Sequence, residues 1–292
     1  MSVLVVEGLQ KSYRVGFWGT KNKVLNEISF KIEPGKITGF LGGNGAGKTT
    51  TMKCLLGLAF PDQGEISYFG GLPLNSEVKR RIGFLPERPY FYDYLTGEEF
   101  LQFYGQISTR LTKKDLKARI LDLLKKVDLV FAKDRSLRDY SKGMLQKIGF
   151  AQALIHDPDF VILDEPMSGL DPDGRYYLAE LIKQTAYQGK AIFFSSHLLN
   201  DAEKLCEDLV IIKGGRVAYQ GSTIGLLGKM HNEISITYSK EGELITEAVT
   251  DIALVQNKID ELRSQKLEIM EIVQDMASLE EAFVKVGLRG ES

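Results

Sequence analysis

The sequence predicts an α/β protein in which strands alternate with helices along most of the chain. Three observations predict it. Short apolar or alternating runs recur between stretches of helical spacing. A glycine-rich loop, Gly42 to Thr50, stands between one such run and a helical pattern. A second apolar run, Phe160 to Leu163, stops abruptly at Asp164 and Glu165. In sheets of this kind ligands gather at the carboxyl ends of strands, so both features fall where chemistry is expected.

Taken in order, Val3 to Val6 and Val24 to Ile32 read as strands, the second alternating Ile28, Phe30 and Ile32. Between them lies a glycine-containing turn region that carries Tyr13, Phe17 and Trp18. Pro34-Gly35 turns the chain into the strand Ile37 to Leu41. The helix after the loop ends before Phe60-Pro61-Asp62-Gln63-Gly64, and Glu65 to Phe69 and Ile82 to Leu85 are short strands. Tyr94 to Asp128 is helical, with Thr112 and Asp115 as a capping box. Ser141 opens a helix reaching Leu154, and the strand Phe160 to Leu163 follows. Asp171 and Pro172 are the N-cap and first residue of a helix through Ile182. Ala191 to Phe194 is a strand ending at Ser195-Ser196-His197; Leu209 to Ile212 and Arg216 to Tyr219 are strands joined by Gly214-Gly215.

After about Met230 glycine thins out and Glu and Lys become dense. Ile234, Ile236 and Tyr238 alternate as in a strand, and Ile252, Val255, Ile259 and Leu262 have helical spacing. Leu267 to Val273 reads as a further strand, and Ser278 with Glu281 opens a last helix with Leu279, Phe283 and Val286 on one face. The expectation is a large unit over 1–228 and a small α+β accessory unit over 229–292.

The bulk numbers bound the function. The chain has 292 residues, 43% hydrophobic and 26% charged, ordinary for a globular protein. Net charge is -2, which gives no general drive toward nucleic acid or anionic lipid. Cys54 and Cys206 lie far apart, outside any CxxC, as expected in a reducing cytosolic compartment and not at a structural zinc site. The N-terminal residues lack the charge and apolar pattern of a signal peptide. No apolar run reaches the roughly 18 residues that a membrane-spanning helix needs. If the protein serves a membrane, another chain supplies the membrane part.

The loop Gly42, Gly43, Asn44, Gly45, Ala46, Gly47, Lys48, Thr49, Thr50 satisfies the phosphate-loop pattern G-x-x-x-x-G-K-[ST]. Glycines let backbone N–H groups curl round a phosphate, and the helix that follows points its positive end at the same anion. Lys48 supplies a cation for the β- and γ-phosphates, and Thr49 offers a hydroxyl to Mg2+. Phosphoryl transfer also needs a metal-holding group and a group that orients the attacking water. Asp164 is the candidate for the first and Glu165, as general base, for the second. A solvated turn is the plainer reading of the acid pair when it is taken without the loop.

The order of motifs resembles the ATP-binding-cassette (ABC) ATPases. The loop GGNGAGKTT is followed by Leu85-Pro86-Glu87, Tyr140-Ser141-Lys142-Gly143-Met144, ILDE, Ser168-Gly169-Leu170-Asp171 and Ser195-Ser196-His197, over roughly residues 1 to 225. The terminal Ser278-Leu279-Glu280-Glu281-Ala282-Phe283 is similar to the end of ATPases of the exporter-like ABC-2 branch. The resemblance implies a P-loop NTPase with a mixed sheet and a helical subdomain over about 88–158. It implies an ATP- and Mg2+-dependent ATPase that works as a homodimer or pseudo-dimer, bound to a polytopic permease on the inner face of the cell membrane, and not on nucleic acid. In that arrangement Ser141 and Gly143 face the partner copy's γ-phosphate, and His197 contacts the γ-phosphate and links it to Glu165. Tyr13 either stacks on adenine or packs on its own domain, with Phe17 or Trp18 as substitutes. Asp171 caps its helix or also reaches across the dimer. Glu87 stands where most members carry Gln, and is either a Mg2+ ligand or a hinge residue. Tyr140, Lys142 and Met144 depart from the usual Leu, Gly and Gln. A soluble relative acting on a non-membrane partner, and a nucleotide-gated binding module with little hydrolysis, are the rival readings. Relatives of the first kind carry two cassettes or a long coiled-coil insertion, and this chain shows neither; intact Glu165 and His197 oppose the second.

Overall fold

A computed structural model describes residues 1–15, 20–228, 234–240, 243–249, 252–274 and 278–289. Phe17, Trp18 and Met230 lie outside them. The chain divides into two units, Met1–Gln220 and Gly221–Ser292.

The first unit is built on two sheets. β1 (Leu4–Val15), β2 (Thr20–Ile32) and β4 (Gln63–Tyr68) form an antiparallel sheet in the order β2-β1-β4. The second sheet runs β5-β6-β7-β3-β8-β9. It comprises β3 (Ile37–Leu41), β5 (Ile82–Leu85), β6 (Phe160–Leu163), β7 (Ala191–Ser196), β8 (Asp208–Lys213) and β9 (Arg216–Ser222). Its pairs β5/β6, β6/β7, β7/β3 and β3/β8 are parallel. β3, β6 and β7 are buried along their whole length. That explains why they read as unbroken apolar runs: both faces are covered.

Helices fill the crossovers. They are α1 (Lys48–Leu55), α2 (Ser76–Lys79), α3 (Gly97–Ser108), α4 (Lys113–Lys126), α5 (Lys142–Leu154), α6 (Pro172–Tyr187) and α7 (Leu199–Leu205). One core joins the two sheets and α1, with Phe30, Phe40 and Phe193 at ring separations of 5.0 to 5.7 Å at its centre.

The helix starts follow their caps. Ser141 accepts from Met144 N–H to open α5, and Asp171 accepts from Gly174 N–H to open α6, which runs to Tyr187 and not to Ile182. Thr112 accepts from Asp115 N–H, but the Asp115 carboxylate bonds the Thr112 hydroxyl instead of reaching back to its N–H. The reciprocal capping box lies one helix earlier, between Thr96 and Glu99. The stretch from Lys11 to Lys23, expected as a turn, is a hairpin of two strands over its described residues, with Tyr13 opposite Asn22.

In the second unit β10 (Ile234–Lys240), β11 (Glu243–Val249) and β12 (Glu268–Gln274) form an antiparallel sheet in the order β11-β10-β12. Ile234, Ile236 and Tyr238 pack on Leu262 of α9 (Ile252–Ser264) as a small core of their own. α8 (Thr223–Leu227) contacts α10 (Leu279–Arg289), whose Ser278–Glu281 capping box is closed in both directions. The α8–α10 packing draws the boundary back to Gln220, earlier than the change in composition. The side chain of Val286 lies outside the description.

Candidate functional site

β3 delivers the chain into the glycine-rich loop, and α1 leaves it. Gly47 caps α1 at φ +110, where a Cβ would stand 2.7 Å from Leu25. A Cβ on Gly42 would stand 2.7 Å from the Ile212 carbonyl oxygen. Both ends of the loop are thus closed to any side chain. Gly43, Asn44 and Gly45 are exposed at its crest, while Ala46 is buried beneath. Lys48 folds back over the loop: its Nζ donates to Gly42 O at 2.6 Å and lies 3.9 Å from Glu165 Oε1.

The acid pair leaves the carboxyl end of β6 between β5 and β7. Asp164 N–H donates to Leu85 O at 2.8 Å, which extends the β5/β6 pairing by one bond. Asp164 is buried, at 6% exposure. Burial pushes its carboxyl above the usual range; the Ser195 hydrogen bond opposes this, the charges of Glu165 and Glu87 add to it, and Lys48 opposes it.

Glu165 has φ 48, a left-handed backbone that non-glycine residues hold when neighbours over-determine it. Those neighbours are visible. Its N–H donates to Ser195 Oγ at 2.9 Å, and Ser195 Oγ–H donates to Asp164 Oδ1 at 2.6 Å. His197 donates to Glu165 Oε2 twice, from Nδ1–H at 2.6 Å and from its backbone N–H at 3.3 Å.

These groups converge on one cavity of about 340 Å³. Of the residues singled out from the sequence, Gly43, Asn44, Gly45, Gly47, Lys48, Thr49, Thr50, Glu87, Asp164, Glu165 and His197 line it. Gly42 and Ala46 are not on its lining. Ser141 and Gly143 do not line it; they stand at the start of α5. Tyr13 is also elsewhere. It is 39% exposed, with Lys11 Nζ 5.4 Å from its ring centre, and lines a separate cavity with Arg14, Lys21 and Lys23. Among the described residues of the hairpin, Val24 faces the phosphate-loop cavity.

Sequence reasoning missed Ser195 and Gln146. Ser195 reads as the first polar residue after a buried run, yet β7 pairs with β6 and brings its hydroxyl to both acids. Gln146 is buried one turn into α5 and donates to Pro166 O at 2.7 Å, just past Glu165. Neither has a local signal, because each works through a partner far along the chain.

Among the described residues no group of three or more His, Cys, Asp and Glu could hold a metal by itself. The cavity's side-chain oxygens include the Thr49 hydroxyl and the carboxylates of Asp164, Glu87 and Glu165. That donor set fits a hard cation that keeps waters and phosphate oxygens among its ligands, as Mg2+ does. Charge points the same way. Lys48 is the one ammonium among three carboxylates on the described lining, so a bound polyphosphate needs an added cation.

A phosphate loop on a sheet of parallel strands, facing an acid pair just past the carboxyl end of β6, defines a P-loop nucleoside triphosphatase. The family pattern described as ABC transporter matches residues 25–168. An uncharacterised ABC transporter ATP-binding protein of Synechocystis is 38% identical over 292 aligned positions, spanning 95% of this chain and 82% of the relative. The SkfA peptide export ATP-binding protein SkfE of Bacillus subtilis is 35% identical, over 74% of this chain and 88% of its own length. A solved ATP-binding subunit of an ABC transporter superposes with a TM-score of 0.72 at 27% identity, over 98% of this chain and 100% of that one. The chain belongs to the ATP-binding subunits of ABC transporters, and is an ATPase by class.

Proposed function

We propose that this chain is the peripheral ATPase of a membrane exporter, and that two copies close around two MgATP and reopen after hydrolysis. The observation that carries the reading is Glu165, gripped by His197 and Ser195 and turned toward Lys48 across one cavity. The loop N–H groups and Lys48 receive the phosphates. His197 fixes one Glu165 oxygen, leaving the other toward Lys48 and the cavity. Water attacks the γ-phosphorus, its proton passes to Glu165, and the bond to the β–γ bridging oxygen breaks to release ADP. Thr49, Asp164 and Glu87 would hold Mg2+, which when bound offsets the charge of the phosphate oxygens.

Ser141 leaves the first N–H groups of α5 directed outward at an exposed surface, and Gly143 permits close approach there. A second copy's γ-phosphate is the anion that this helix end suits, as an arginine finger would. The membrane partner's helix docks beside Glu87. There Tyr90 and Tyr94 are 82% and 67% exposed, and Tyr92 packs edge-on between Tyr90 and Phe103. No described helix is long and apolar enough to cross a membrane, so translocation falls to that partner. What supports export is the residues 278–283 and what the SkfE relative's name says of that protein.

Affinity capture of the tagged chain from detergent-solubilised membranes tests this reading. It should bring down a polytopic membrane protein in comparable amount. Recovery of the chain alone, or with ribosomes, contradicts the transporter role.

A further inference from the structure

The start of α5 carries a residue that its own helix does not explain. Lys142 is the first helical residue, and the first turn holds no acid. A cation there opposes the positive end of the helix. The side chain does not stretch away from the protein. It lies across the turn that follows the acid pair: a Cβ built on Gly169 would stand 1.9 Å from Lys142 Nζ, 3.0 Å from Cε and 3.8 Å from Cδ. Gly169 also has φ +68, so the backbone requires glycine there.

One turn along α5, Gln146 holds Pro166 O. Residues four apart share a helix face, so this face meets the segment 166–169 at both ends, by a hydrogen bond at Pro166 and by packing at Gly169. That segment begins beside Glu165. Its Ser168 N–H donates to Glu165 O at 3.1 Å, and Ser168 lines the phosphate cavity.

We propose that Lys142 is a positioning residue for hydrolysis, acting within its own chain by bracing the 166–169 turn and so the left-handed backbone of Glu165. The proposal rests on the ATPase reading above. It places the effect in Lys142's own chain, because the side chain lies against the turn that follows its own acid pair.

Steady-state ATPase kinetics of wild type, Lys142→Ala and Lys142→Arg test it. A displaced base costs roughly ten-fold or more in turnover, so Lys142→Ala should lower kcat by about that factor while KM for ATP stays within about two-fold. Lys142→Arg, which keeps a long stem and a cation, should recover most of the loss. An unchanged kcat in Lys142→Ala, or a loss confined to KM, overturns the proposal.

Mixed dimers, isolated through two different tags and carrying Glu165→Gln in one chain, then locate the effect. Lys142→Ala should slow turnover when it is on the chain with intact Glu165, and have little effect on the other chain. The reverse pattern, or equal loss from both, overturns action within one chain. A wild-type protein with no ATPase activity would defeat the functional reading itself, and is seen before any variant is compared.

Discussion

Ser195, Glu87 and His156 mark how far single residues can be read. Glu165 and Asp164 are legible because they are adjacent in sequence and end an apolar run. Ser195, which holds both, is 31 residues from Asp164 along the chain and is found only once β7 is laid beside β6. From the sequence Glu87 reads as either a metal ligand or a hinge. It lines the cavity with a side chain 47% exposed and its nearest cation, Arg88 Nε, at 3.9 Å, which leaves the carboxylate available. Glu87→Gln should therefore stay active and need more Mg2+ for half-maximal turnover; superimposable Mg2+ titrations at fixed ATP would leave only the hinge. His156 has no part in the site. Its Nε2–H donates to Ile82 O at 2.9 Å, and burial holds its pKa below the ordinary 6.5. The folded state thus resists protonation that the unfolded chain accepts. The stabilising contribution is full above pH 6.5 and is lost as pH falls from there through the lower folded value. Thermal unfolding between pH 5 and pH 8 should show less acid-side loss for His156→Asn than for wild type; parallel curves would assign the acid sensitivity to other groups.

At the scale of elements, what was legible depended on length and burial. The buried strands β3, β5 and β6 stand where their apolar runs lie, and α5 starts at the serine that caps it. The helices α2, α7 and α8 are four, seven and five residues long, too short to show a period of 3.6. The β1–β2 hairpin extends beyond the apolar core, and its described outer residues Lys11, Ser12, Arg14 and Thr20 to Lys23 are polar, so that part resembles a loop. Capping shows the same limit. Thr112–Asp115 has the spacing of a box, but the aspartate is one methylene short of Glu99, which closes the box on Thr96. Removing that cap separates stability from chemistry. Thr96→Ala should cost about 1 kcal/mol. For a unit of this size that lowers Tm by roughly 2–4 °C. kcat for ATP should be unchanged. A fall in kcat at unchanged Tm would mean that the α3 cap acts on the site.

For the whole molecule, the two units have separate cores, one built on Phe30, Phe40 and Phe193 and one on Ile236, Tyr238 and Leu262. The phosphate-loop cavity draws its described lining entirely from the first. A chain ending at Ser222, which keeps β9 whole, should fold and hydrolyse ATP within a few-fold of the full protein. Loss of a cooperative unfolding transition in that truncation would show that the second unit completes the first.

The account turns on Glu165 as the base that activates water, held in place by its own chain. The most direct test is a comparison of Glu165→Gln with wild type in two readouts: MgATP binding, and turnover at saturating MgATP. General-base removal costs about 10²–10⁴ in rate, so kcat should fall by that much while the dissociation constant for MgATP stays within a few-fold. Turnover by Glu165→Gln within a few-fold of wild type would contradict it.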